Sequence, residues 1–225
     1  MIRSLARAAS QLPDPPLRRL LLASLGLAAA CFVVLLAALW FALPWVGALL
    51  PASAPQWLRT TIEFVAGAGA VVLSIVLFPG VVMAIQSGLM TDRICAAVEA
   101  RHYPGLPAAR SQPVGEAVAM ALRFLGATIA LNLLVLPLYF VPLVNVVAFA
   151  AVNGYLVARE SFEAVAPRRL DAAAMDRLWR LGRARFWAAG AALALVMAIP
   201  VLNLAGALLA AAAMTHLVEE ARRAA

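Results

Sequence analysis

The chain has 225 residues, 65% of them hydrophobic and only 13% charged, and a net charge of +7 in which every basic residue is arginine. Soluble domains carry about 25% charged residues, and a fold of this length could not bury the apolar excess, so composition excludes a water-soluble domain and makes the lipid bilayer the first partner. The arginines lie in segments flanking apolar runs, which is how membrane proteins are oriented rather than how nucleic acid is gripped, and no nucleic-acid partner is expected.

Four stretches without charge organise the chain: Leu20 up to Arg59, Phe64 to Thr91, Phe124 to Ala158 and Phe186 to Val218. A spanning helix needs about 20 apolar residues. Residues 1–19 form a short cytoplasmic arm. In it, Asp14-Pro15-Pro16 predicts a helix start, with Asp14 as the cap and proline in the first turn. The run that follows is too long and lacks the small-residue cleavage site of a signal peptide, so it is read as a retained membrane helix over 20–43. Pro44, Pro51 and Pro55 break the chain, and Trp40, Trp45 and Trp57 flank the break as interfacial aromatics do. A second membrane helix is predicted over 60–85. Pro79-Gly80 should kink or end it, because proline removes a donor and crowds the preceding turn. Glu63 near its outer end reads as an interfacial carboxylate.

Residues 86–123 are mixed and predict a cytoplasmic amphipathic segment, whose helix ends at His102-Tyr103-Pro104-Gly105. Two similar apolar units follow over 124–158 and 186–218. Each has a Pro-x-x-Asn turn inside an uncharged run, Pro142 to Asn145 and Pro200 to Asn203. The arms Phe124–Val141 and Pro142–Ala158 have 18 and 17 residues, and Phe186–Ile199 has 14. At about 1.5 Å per residue these fall short of a hydrocarbon core about 30 Å thick, so both units are expected to be re-entrant hairpins covered by neighbouring helices. The turn asparagines would then satisfy backbone groups. Full spanning hairpins remain an alternative. Between the hairpins, residues 159–185 carry seven arginines and four acids and read as a cytoplasmic, headgroup-facing helix.

If each hairpin returns to its starting side, only Arg59 of the 18 arginines lies across the membrane, which places both termini in the cytoplasm. Cys31 and Cys95 have no disulfide or metal spacing. His102 and His216 each stand alone in the sequence. With no catalytic constellation, metal cluster or nucleotide-binding motif, neither an enzyme nor a resident metal or cofactor is expected. The expected fold is all-α: a polytopic integral membrane protein with two long transmembrane helices and two re-entrant hairpins.

Taken together, Tyr139-Phe140-Val141-Pro142, Ile199-Pro200-x-x-Asn203-Leu204 and Gly154-Tyr-Leu-Val-Ala-Arg-Glu-Ser-Phe162 resemble the CysZ-type sulfate permease family, the bacterial branch of the etoposide-induced protein superfamily. The similarity runs from about Pro13 to His216. It implies an inner-membrane sulfate permease that assembles as a homo-oligomer. It also implies a sulfate site in which two arginines at the start of the first helix join backbone amides of a Gly-Leu-Leu-Ala-Glu motif. Here Arg18-Arg19 match the pair, and Gly88-Leu89-Met90-Thr91-Asp92 resembles the motif with Met, Thr and Asp substituted. Arginine forks and helix-start amides both suit an oxyanion. A non-transporting membrane scaffold of the same superfamily is the competing reading, since few polar residues lie along the apolar runs.

Overall fold

A computed structural model describes residues 2–48, 54–141 and 144–224. In chain order they form α1 (Ile2–Gln11), α2 (Pro15–Ala48), α3 (Gln56–Ile85), a π-helical turn (Gln86–Met90), α4 (Thr91–His102), α5 (Val114–Val135) and a 3-10 extension of α5 (Leu136–Phe140). These are followed by α6 (Val144–Val165), a 3-10 turn (Ala166–Arg168), α7 (Ala172–Met197), α8 (Pro200–Asn203) and α9 (Gly206–Ala224). No strand occurs among the described residues.

Among the described residues, three helices are long and apolar enough to cross a membrane: Pro15–Ala42, Gln56–His102 and Val114–Leu138. Their apolar side chains face outward. Val33, Val34, Phe41, Phe64, Val72 and Ile75 are all largely exposed, a surface that water would not tolerate and lipid covers. α2 begins at Pro15, as the sequence predicts, but the Asp14 carboxylate forms an ion pair with Arg101 of α4. α3 ends at Ile85 without stopping at Pro79, which lies inside the helix. Neighbouring helices and hydroxyl side chains let membrane helices accept such a proline.

Several sequence expectations change. α5 starts at Val114, not Phe124, and carries Arg123 within it. A long arginine side chain can reach the interface while its backbone stays helical, so charge alone misplaced the boundary. α5 and α6 have 22 residues each, or roughly 33 Å by helical rise, and the argument from short arms fails for the first hairpin. Likewise, residues 159–185, expected to be a separate helix, are divided between the end of α6, the 3-10 turn and α7, which runs 26 residues from Ala172 to Met197. Of the turn residues, Pro142 lies outside the described residues. Asn145 falls in the first turn of α6, while Pro200 opens and Asn203 closes the short α8. Asn203 was expected to satisfy backbone groups, yet its buried Oδ1 has no partner among the described residues.

α9 is the central element. Nearly every residue from Gly206 to Glu219 is buried, and the alanine-rich face lets α1, α4, α6 and α7 approach closely. α6 and α7 pack tightest. A Cβ on Gly190 would lie 2.2 Å from the Gly154 carbonyl oxygen, and one on Gly154 would lie 2.8 Å from the Ala191 Cα. Small residues four apart, Gly154 with Ala158 and Gly190 with Ala194, permit such contact between membrane helices. Below it, Phe162, Trp179 and Phe186 form an aromatic cluster with ring centroids 5.1–5.5 Å apart, and the Arg159 guanidinium lies 4.9 Å over Trp179.

A polar cavity beside the pi-helical turn

The segment Gly88-Leu89-Met90-Thr91-Asp92 does not open a helix. It sits where α3, the π-turn and α4 join into one helical stretch from Gln56 to His102. The expected cradle of free helix-start amides is therefore absent, because a continuous helix spends its amides on its own carbonyls. A π-turn loosens that ladder and often marks a functional site. Here the Thr91 hydroxyl donates to the carbonyls of Ser87 at 2.7 Å and Gln86 at 3.3 Å, which stabilises the irregular turn.

Gln86 holds this turn against the rest of the molecule. It is fully buried. Its Nε2 donates to Ser24 Oγ of α2 at 3.0 Å and to the Leu204 carbonyl at the tip of the second hairpin at 2.7 Å. Its Oε1 accepts from the Leu208 N–H in the first turn of α9 at 3.0 Å. One side chain thus joins three elements and satisfies one of the orphan amides of a helix start. Sequence reasoning passed over Gln86. Its only local signal is a polar residue just after a long apolar run.

Against the turn lies a cavity of about 270 Å³ lined by Ser87, Gly88, Leu89, Thr91 and Asp92 from the helix, Arg110, Ser111 and Gln112 from the following loop, Ala164 from the end of α6, and Pro167 and Arg168 from the 3-10 turn after it. The loop is tied down by the Arg110 N–H donating to the Arg168 carbonyl at 2.9 Å. Arg110 Nη2 donates to both carboxylate oxygens of Glu116 at 2.8 and 2.9 Å, and this bonding raises the guanidinium above its usual value. Burial works to lower Arg168, but hydrogen bonds to Glu99 and Asp92 outweigh it and leave it raised. Both arginines stay charged, with Asp92 as the one carboxylate in the wall. Gln112 Nε2 is buried without a partner among the described residues. The lining therefore combines two guanidinium groups, three hydroxyls and a vacant amide donor, chemistry that suits an oxyanion.

Of the site residues expected from sequence, Gly88 and Leu89 line this cavity and Met90 does not; Met90 is buried in the core. Arg18 and Arg19 stand exposed on the first turn of α2 and are not among the residues lining the cavity. The structure also joins residues that the sequence separates. Tyr103 Oη and His216 Nδ1 share a hydrogen bond of 2.8 Å, and the His102 and His216 rings meet edge to face at 5.0 Å. The two isolated histidines are one cluster, with both Nε2 atoms buried and unpartnered among the described residues.

A family model described as sulfate transporter CysZ/etoposide-induced protein 2.4 matches residues 4–206 of the chain. No curated protein matches it.

Proposed function

The chain belongs to the sulfate transporter CysZ/etoposide-induced protein 2.4 family, and on that premise we propose that it is an inner-membrane permease for sulfate or a related oxyanion, passive or driven by a gradient. The observation that carries this reading is the cavity in which Arg110, Arg168, Ser87, Ser111 and the unpartnered Gln112 amide surround the π-turn at Gly88. A tetrahedral dianion needs several donors set around it, and arginine presents them as a planar fork. Gly88 leaves open space beside the backbone, with no atom within 4 Å of where a Cβ would stand. Both arginines already hold carboxylates, so the anion would be held firmly enough to enter yet loosely enough to leave.

In this proposal Arg18 and Arg19 keep a part as a surface pair that draws anions to the cytoplasmic face. The second hairpin, from α7 to α9, dips into the membrane against α3. Both termini are cytoplasmic, and protomers associate as a homo-oligomer. Sulfate titration of the purified protein tests the site. Removing one charged hydrogen bond to an anion costs about 1.5–3 kcal/mol, so Arg110→Ala should bind sulfate roughly ten- to a hundredfold more weakly. The double variant Arg18→Ala/Arg19→Ala should slow uptake and leave the titrated affinity nearly unchanged. The reverse pattern would move the site to the α2 pair.

A further inference from the structure

Arg168 lines two cavities. The second, about 320 Å³, lies under the loop after α4. Its wall includes Glu99, Tyr103, Pro107, Ala108, Arg168 and Arg169. The loop is held over it by Arg169, which donates to the Pro107 carbonyl, and by the Arg110 amide on the Arg168 carbonyl.

Glu99 occupies the middle of this arrangement. One of its oxygens, Oε2, accepts from Arg169 Nη2 at 2.6 Å and from Arg168 Nη2 at 3.3 Å. The side chains of Arg168, Arg169 and Glu99 are 11%, 8% and 11% exposed. Two buried guanidinium groups thus share one carboxylate oxygen. In addition, both Nε atoms are buried with no acceptor among the described residues. Buried donors are normally satisfied, and a guanidinium presents five of them. Asp92 accepts from Arg168 Nη1 as well, so the two guanidinium groups face two carboxylates, and what is in excess is donors, the two Nε groups first. The Tyr103 ring carries the Arg223 guanidinium 4.9 Å above it, and the remaining wall is Leu106 with alanine, proline and glycine.

We infer that this cavity is a second oxyanion site, a vestibule that shares Arg168 with the first, and that Glu99 is a built-in competitor which the anion displaces from Arg168 and Arg169. The inference rests on the permease reading above and names where the anion waits. When the anion moves on, the carboxylate returns and the guanidinium groups are not left bare, a cost that buried charges otherwise carry. Occupation by exchange keeps binding weak enough for passage.

A competitor and a structural brace differ in the sign of their effect. Glu99→Gln keeps shape and an acceptor but removes the competing charge. In sulfate titrations of the purified full chain at low ionic strength, it should bind sulfate at least about fivefold more tightly, the low end of the usual coupling range between sites. Affinity equal to or below wild type overturns the inference. Ala108→Glu, on an exposed position of the loop wall, adds a second competitor without disturbing the core and should weaken sulfate by a similar factor. No change there also overturns it, and this variant decides alone if Glu99→Gln does not fold. Sulfate uptake by proteoliposomes separates the two readings. Tighter titration in Glu99→Gln with no wild-type flux keeps the vestibule and rejects the permease. Wild-type flux with unchanged titration in both variants does the opposite. No sulfate binding by the wild type rejects both.

Discussion

Gln86 is the residue whose replacement should be felt most widely. Gln86→Leu keeps the volume and removes all three hydrogen bonds. Ser24 still donates to the Leu21 carbonyl at 2.8 Å, so its loss is small. The Leu204 carbonyl and the Leu208 N–H, by contrast, are left facing an apolar side chain. An orphaned buried polar group costs about 1–3 kcal/mol, so the pair costs about 2–6 kcal/mol, a large share of the 5–15 kcal/mol typical of a folded domain. Because the two groups belong to the hairpin tip and the start of α9, the loss should concentrate there. Equilibrium unfolding in mixed micelles reads the total, and amide hydrogen exchange over residues 200–210 reads the location. Gln86→Glu keeps the acceptor for Leu208 but turns an oxygen toward the Leu204 carbonyl, so it should not rescue. A Gln86→Leu protein within about 0.5 kcal/mol of wild type, the range of ordinary surface substitutions, would refute the account of this side chain as the tie between the helices.

Gly190→Ala should push α6 from α7, because its Cβ would sit 2.2 Å from a backbone oxygen. Overpacking of this kind costs about 1–3 kcal/mol, readable by the same unfolding measurement, whereas Gly115→Ala, with open space around it, should cost little. His216 lies on the polar half of α9, and burial first, then the nearby His102 and Arg7, lower it from 6.5 to about 4. It is therefore neutral in the fold, while the unfolded chain takes up its proton near 6.5. Its contribution is complete above that value and is lost as pH falls toward about 4. A stability profile across that window should slope downward toward acid, and His216→Gln should flatten it. Ser87→Ala should weaken sulfate roughly tenfold or more in titration, since hydrogen bonds to charged groups are worth about 1.5–3 kcal/mol, and should leave stability close to wild type.

Membrane class was legible from composition alone, because the apolar excess has nowhere else to go. The end of α3 at Ile85, the end of α4 at His102 and the start of α2 at Pro15 were legible because local chemistry sets them. Gly105, with a φ of +92°, completes the α4 stop that Pro104-Gly105 announces. Charge misled at Arg123, where a flexible side chain hides how far a helix extends into an apparently polar segment. Proline misled at Pro44, which was expected to break the chain but falls inside α2, a helix that runs on to Ala48. The site was half legible. Gly88-Leu89 could be found by resemblance, but the side chains around them come from residues 110–112 and 164–168. Gln86 with Leu204, His102 with His216 and Glu99 with Arg168 are each paired across roughly 70 to 120 residues. No local pattern encodes such pairs, and only the packing of α9 against α4 and α6 brings them together.

The most direct measurement of the central claim is uptake of labelled sulfate by liposomes holding the purified wild-type chain, beside empty liposomes and liposomes holding the Arg110→Ala protein. The account predicts saturable uptake well above the empty control, reduced roughly tenfold or more by Arg110→Ala at sulfate levels below half-saturation. Wild-type uptake no faster than empty liposomes would contradict it and leave the chain a membrane scaffold of its family.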